Sequence, residues 1–218
     1  MNILYDERLD GVLPKVDKAA LVTELKQLLP DLEILHTQEE LTPYECDGLS
    51  VYRTAPLLVA LPERLEQVEE LLKLCYRRKV PVVARGAGTG LSGGALPLEQ
   101  GVLLVMARFN RIIEVDPNGR FARVQPGVRN LAISHAAAPY GLYYAPDPSS
   151  QIACPIGGNV AENAGGVHCL KYGLTVHNLL KLDILTVEGE KMTLGADALD
   201  APGFDLLALF TGSEGMLG

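Results

Sequence analysis

The chain has 218 residues, 48% of them hydrophobic, enough for a sizeable core and too many for a disordered polypeptide. Its formal net charge of -8 excludes nucleic acid and anionic membrane surfaces as principal partners. No apolar run is long enough to span a bilayer, and none reads as a signal peptide.

In chain order, Val16 to Leu29 carries apolar residues at helical spacing and stops at Pro30, so a helix is predicted there. Residues 31–56 read as mixed and irregular. Leu57–Leu61 reads as a strand. From Glu63 to Lys79, the residues Leu65, Val68, Leu71, Leu72 and Cys75 form one apolar stripe. An acidic start and a basic finish (Arg77, Arg78, Lys79) suit the helix dipole. Val80–Ala84 is a second strand, so this stretch is expected to be a βαβ unit with a right-handed crossover.

A glycine-rich loop, Arg85-Gly-Ala-Gly-Thr-Gly-Leu-Ser-Gly-Gly94, follows. Glycine tolerates positive φ and has no Cβ, so such a loop can turn many backbone N–H groups toward one anion, most often phosphate. Gly88 to Gly93 matches G-x-G-x-x-G, but the dinucleotide reading of that motif needs a helix to open at once. Pro97 and Gly101 break any helix, and Gly101–Met106 reads as a strand. No Gly-Lys-Ser/Thr follows for a P-loop. The plain alternative is a tight inter-strand turn with no ligand, for which the loop holds more glycine than is needed.

Arg111–Val115 and Phe121–Gln125 flank Asp116-Pro-Asn-Gly119, a hairpin signal. Val128 to Tyr140 is predicted helical, and Ala145 to Gly166 is read as a long loop-rich tract. Leu180–Val187 and Lys191–Leu194 form a second predicted hairpin around Glu188-Gly189, and Phe204–Phe210 a short helix. A βαβ opening followed by hairpins points to an α+β fold. The four cysteines (Cys46, Cys75, Cys154, Cys169) form no CxxC pair and are expected to be reduced, mostly buried thiols. His168 and His177 are expected to be structural, because no partner carboxylate stands at a diagnostic spacing. The apolar segment opening at Thr211–Gly218 suggests a piece of a longer protein.

Four motifs in order, RGAGTGLSGG, PDPSSQIACPIGGNVAENAGG, HCLKYGLTVHNLLKLDILTVEGE and TGSEGMLG, resemble the FAD-binding domain of the vanillyl-alcohol-oxidase/PCMH flavoprotein family. The resemblance covers residues 50–218, with 1–49 as an N-terminal helical extension. It implies a PCMH-type fold of two α/β subdomains, one holding the βαβ sheet and one a mixed or antiparallel sheet, with FAD between them. The domain is expected to be truncated at its C-terminal end and to lack the substrate domain.

The resemblance also assigns residues. The FAD pyrophosphate falls to Arg85, Gly86, Ala87, Gly88, Thr89, Gly90, Leu91, Ser92 and Gly93. Pro146, Asp147, Ser149 and Ser150 would run beside the flavin and its ribityl chain. Gly157, Gly158, Asn159, Glu162, Asn163, Ala164, Gly165 and Gly166 would pack near the isoalloxazine. Tyr172, Gly173 and Val176 would close the adenine side, and Glu214 sits in the last motif. Asn163 equally suits a turn cap, and Glu214 an acceptor in its own turn. No histidine lies in 85–94, so the FAD is expected to be noncovalent.

The implied activity is oxidation of glycolate or a related 2-hydroxy acid such as D-lactate, hydride passing to the flavin. No metal site and no catalytic residue is assigned, since relatives carry these in the domain expected to be missing. The implied partners are the small 2-hydroxy acid, a second FAD-like subunit and an iron–sulfur subunit. The implied place is the cytoplasm, at the inner membrane only through partners. Rival readings are an NAD-dependent dehydrogenase, the same FAD fold in other chemistry such as sugar-nucleotide reduction, and a scaffold that has lost its cofactor.

Overall fold

A computed structural model describes residues 15–198 and 203–218. It divides into two compact units, Met1–Val105 and Met106–Gly218.

In the first unit, helix α1 (Lys18–Leu28) forms where helical spacing predicted it, its N-terminus capped by the Asp17 carboxylate accepting from the Ala20 N–H. The stretch read as irregular holds a short strand, β1 (Glu33–Leu35), a one-turn helix, α2 (Gln38–Leu41), and a 3₁₀ turn at Thr42–Tyr44. Strand β2 (Leu58–Leu61) leads into α3 (Leu65–Arg78), then β3 (Val82–Arg85) and β4 (Val102–Val105). Buried Gln67 turns back at the start of α3 and accepts from the N–H groups of Glu63 and Arg64. Lys79 ends the helix in the left-handed region.

The sheet order is β1-β2-β4-β3. Strands β2 and β3 are parallel as a βαβ unit requires, but β4 lies between them, parallel to both. The reason is burial. Every residue of β2 and β4 is buried, whereas β1 and β3 are partly exposed edges. The most apolar strands take the centre, where both faces are covered. Leu41, Val59, Leu61, Leu103 and Val105 pack as one core group on this sheet.

Because β3 and β4 are parallel neighbours, residues 86–101 must return the length of a strand. They do so with no helix, as Pro97 and Gly101 predicted. The glycine loop therefore leaves the carboxyl end of β3, the end of a parallel sheet where ligands bind.

In the second unit, β5 (Ile112–Asp116) and β6 (Phe121–Val124) form the predicted hairpin, with a register irregularity between Ile112 and Glu114. Helix α4 (Asn130–Ala137) runs into a 3₁₀ turn at Ala138–Tyr140. The tract read as loop-rich contains a helix, α5 (Ile156–Glu162), and a one-turn helix, α6 (Cys169–Tyr172), follows. Strands β7 (Lys181–Leu185) and β8 (Lys191–Gly195) form the second hairpin, before α7 (Leu206–Phe210). Val128, Ile133 and Ile156 form a core group with Ile112, Val124 and Tyr144 packed against it.

Candidate cofactor-binding site

The glycine loop makes almost no structure of its own. No backbone N–H from Gly86 to Gly94 donates to another described residue. Gly88 and Gly93 have φ of 65° and 84°, a region that other residues seldom occupy. Arg85 turns its guanidinium back beneath the loop, where any Cβ on Gly88 would strike it. Its Nη1 donates to the Tyr44 carbonyl at 3.3 Å, and its carbon stands 6.0 Å from the centre of the Tyr44 ring. Burial lowers the Arg85 pKa, while Asp47 acts in the opposite direction. A guanidinium stays charged through such a shift. A cation beneath a row of unengaged N–H groups is an environment for an anion.

The second glycine tract is, by contrast, tightly tied. Gly157 donates to the Pro126 carbonyl at 2.8 Å, and a Cβ at 157 would lie 2.8 Å from the Pro126 Cβ. Buried Asn130 donates through Nδ2 to the Pro146 carbonyl at 2.9 Å and to Asn159 Oδ1 at 2.8 Å. Asn159 in turn donates to Cys154 Sγ at 3.2 Å. Asn130 Oδ1 is buried and has no partner among the described residues. Gly166 presses on the Asp147 backbone so closely that a Cβ would collide with it.

Asn163 does cap a turn. It ends α5 in the left-handed region, and its Oδ1 accepts from the Val176 N–H at 3.0 Å. Thr175, fully buried, donates its hydroxyl to the Ala164 carbonyl at 2.7 Å. Glu214 binds through its backbone, its N–H donating to the Ala161 carbonyl at 2.8 Å. Gly173, at φ 78°, faces the His177 ring, whose Nδ1 accepts from the Leu174 N–H at 3.1 Å. This bond ties the His177 ring to the backbone at Leu174.

His168 has a carboxylate partner that spacing did not reveal. Its Nδ1 lies 2.6 Å from Asp147 Oδ2, and its backbone N–H donates to Asp147 Oδ1 at 3.2 Å. The partner carboxylate stands 21 residues away, which no local spacing reveals. The His168 hydrogen bond holds the Asp147 carboxyl below its usual range. Around this pair, the Tyr172 ring meets the Tyr143 ring edge-on at 6.1 Å and carries Lys171 Nζ at 4.8 Å.

The predicted residues of the second unit thus converge. Pro146, Asp147, Asn159, Asn163, Gly166, Val176 and Glu214 are joined by direct contacts or one intervening residue. Ser149 and Ser150 lie in the turn after Pro148, whose carbonyl accepts from Gln151. Ser149 and Glu162 face solvent, and Gly158 has only ordinary contacts. In the first unit, Arg85 to Gly93 form one continuous segment that follows β3. Sequence reasoning missed Asn130 and Tyr44; an asparagine opening an apolar helix was the one signal for the former.

The residues fit an extended anionic cofactor. Unengaged backbone donors suit a diphosphate, and an unpartnered buried amide oxygen lies behind the tract that would flank a ring system. Comparison with known proteins agrees. The glycolate oxidase subunit GlcD of Escherichia coli (strain K12) is 73% identical over all 218 residues, which are 44% of that protein's length. GlcD of Bacillus subtilis (strain 168) is 40% identical over 80% of this chain and 37% of its own. The chain thus spans less than half the length of the curated relatives it matches. A solved structure of alkyldihydroxyacetonephosphate synthase superposes with a TM-score of 0.77 at 25% identity, covering 94% of this chain and 39% of that one. A family profile described as "FAD binding domain" matches residues 56–195, a span holding both glycine tracts and the Asp147–His168 pair, and the chain belongs to that family.

Proposed function

We propose that this chain is the FAD-holding part of an oxidoreductase that oxidises glycolate or a closely related 2-hydroxy acid such as D-lactate. The observation that carries this reading is identity along its whole length to a glycolate oxidase subunit. FAD, when bound, supplies the hydride acceptor. The chain's own residues bind and orient. The N–H groups of Gly86 to Gly93 hold the diphosphate, with the Arg85 charge behind them. Pro146, Asp147 and the 157–166 tract flank the ring system, and Asn130 fixes the first of these against Asn159. With no histidine in 85–94, nothing in that loop can tether the flavin.

On this reading residues 50–218 are the FAD-binding domain, preceded by an N-terminal extension. The groups that bind the substrate carboxylate and take its hydroxyl proton belong to the part of the relatives' length that the chain does not span. Electrons leave through partner subunits, one FAD-like and one iron–sulfur, which bring the chain to the inner membrane. Among the described residues, no helix is long and apolar enough to cross a membrane.

The test is reconstitution. The purified chain is mixed with FAD, desalted, and its absorption spectrum taken before and after acid precipitation. Flavin bands that travel with the protein and move to the supernatant on precipitation support the reading. A colourless protein that takes up NAD overturns it. Glycolate added anaerobically bleaches the flavin slowly or not at all in this chain alone; bleaching at an enzymatic rate refutes the placement of the substrate groups elsewhere.

A further inference from the structure

Residues 44–48 lie outside the segment that matches the family, yet they back the glycine loop. A Cβ on Gly48 would stand 2.6 Å from the Gly90 carbonyl oxygen and 2.9 Å from that of Thr89. Both oxygens therefore face Gly48. A trans peptide is planar, so the N–H of the next residue points opposite to each carbonyl. The Gly90 and Leu91 N–H groups are turned away from Gly48, toward the side where an anion would lie.

Asp47 is 7% exposed. Its Oδ1 accepts from the Leu49 N–H at 2.8 Å, which fixes the turn through Gly48. Its Oδ2 is buried and has no hydrogen-bond partner among the described residues. A buried carboxylate oxygen in that state needs a nearby positive charge. The Asp47 charge favours the Arg85 cation that burial disfavours, acting through space, with no ion pair between the two among the described residues. The same guanidinium is tucked under Gly88 and anchored on Tyr44.

We propose that Asp47 and Gly48 are positioning residues for the diphosphate loop, Gly48 by orienting the Thr89 and Gly90 peptides and Asp47 by fixing the turn that carries Gly48 and placing a negative charge near the Arg85 cation. The inference rests on the FAD reading of that loop. The experiment compares the wild-type chain with Gly48→Ala and Asp47→Asn; the asparagine retains the Oδ1 acceptor for Leu49 and removes only the charge. FAD and riboflavin dissociation constants are measured by flavin fluorescence, and melting of the cofactor-free protein is followed in parallel.

Both variants weaken FAD binding by roughly tenfold or more, the factor given by about 1.4 kcal/mol. Riboflavin, which has no diphosphate, binds as in the wild type, and cofactor-free melting is little changed. If the wild type itself takes up no FAD, the cofactor reading fails and this inference falls with it. If the wild type binds and the variants bind FAD equally or more tightly, the positioning role is overturned while the cofactor reading stands. A parallel loss of FAD binding, riboflavin binding and thermal stability overturns it too, since that marks a general packing role. Should Gly48→Ala not fold, Asp47→Asn decides.

Discussion

Gly166 lies directly on the backbone of Asp147, leaving no room for a side chain at position 166. The contact closes the end of the second glycine tract onto the Pro146–Asp147 segment. The obstructing atoms are the Asp147 carbonyl group and its carboxylate Oδ1, and the carbonyl cannot rotate aside. Gly166→Ala is therefore expected to destabilise the protein by roughly 1–3 kcal/mol, the usual cost of overpacking. Urea unfolding of the cofactor-free chain measures it, and a wild-type midpoint would show that the contact relaxes freely.

Gly158 predicts the opposite sign. A Cβ there meets only Pro155 ring carbons, at 3.8 Å, an ordinary contact inside α5. Gly158→Ala should gain about 0.5–1 kcal/mol from helix propensity alone. On the proposed function it also weakens FAD binding, because the added methyl narrows the tract assigned to the ring system. Opposite changes in urea midpoint and FAD affinity are the expected signature; a rise in both would separate Gly158 from the cofactor.

Much of this was legible in the sequence, and the exceptions have physical causes. The loop from Arg85 was readable because Pro97 and Gly101 forbid the helix that its literal motif needs. Helix α5 was not, because Pro155, Gly157 and Gly158 read as loop. Pro155 in fact sits at the N-cap, where its missing N–H costs nothing, and Gly157 is there for the close approach to Pro126. Strand β1 was missed because only Ile34 of its three residues is buried, leaving no alternation to detect. The insertion of β4 between β2 and β3 is a choice of tertiary packing among equally apolar runs. Asp47, Asn130 and the Asp147–His168 pair escaped notice because their partners are distant in sequence or have no local spacing rule.

Asn130 offers the next test. It is 1% exposed and joins the Pro146 carbonyl to Asn159. Asn130→Ala leaves both partners buried with one bond fewer, at roughly 1–3 kcal/mol for each group left unsatisfied. Unfolding should begin in the second unit, and hydrogen exchange should rise at the amides of α5 and at Asp147. Exchange unchanged there would remove Asn130 from any role in fixing this tract.

The four thiols should separate by accessibility. Burial pushes the Cys75 thiol up to about 12. At pH 8 it is held almost wholly as the thiol, whereas the thiolate is the reactive form. Cys154 is also buried and accepts from Asn159, whereas Cys46 and Cys169 are partly exposed. Brief treatment with N-ethylmaleimide, read by peptide mass spectrometry, should label Cys46 and Cys169 first. Early labelling of Cys75 would mean that α3 opens far more readily than its packing implies.

The Asp147–His168 pair sets a pH dependence. The His168 ring holds the Asp147 carboxyl below its usual range; the His168 backbone N–H adds to this, and burial opposes it. A carboxylate whose folded-state value is lowered stabilises the fold above its unfolded value, near pH ~4, and loses that contribution as pH falls through the lowered one. His168→Ala removes the ring but leaves the backbone bond, so most of the contribution disappears with it. The wild type should therefore unfold at higher urea than the variant from neutral pH down to about pH 5. The gap should then narrow as pH falls below ~4 and Asp147 takes up its proton. A gap constant across that range would show that His168 acts through packing against Tyr172 and not through the Asp147 charge.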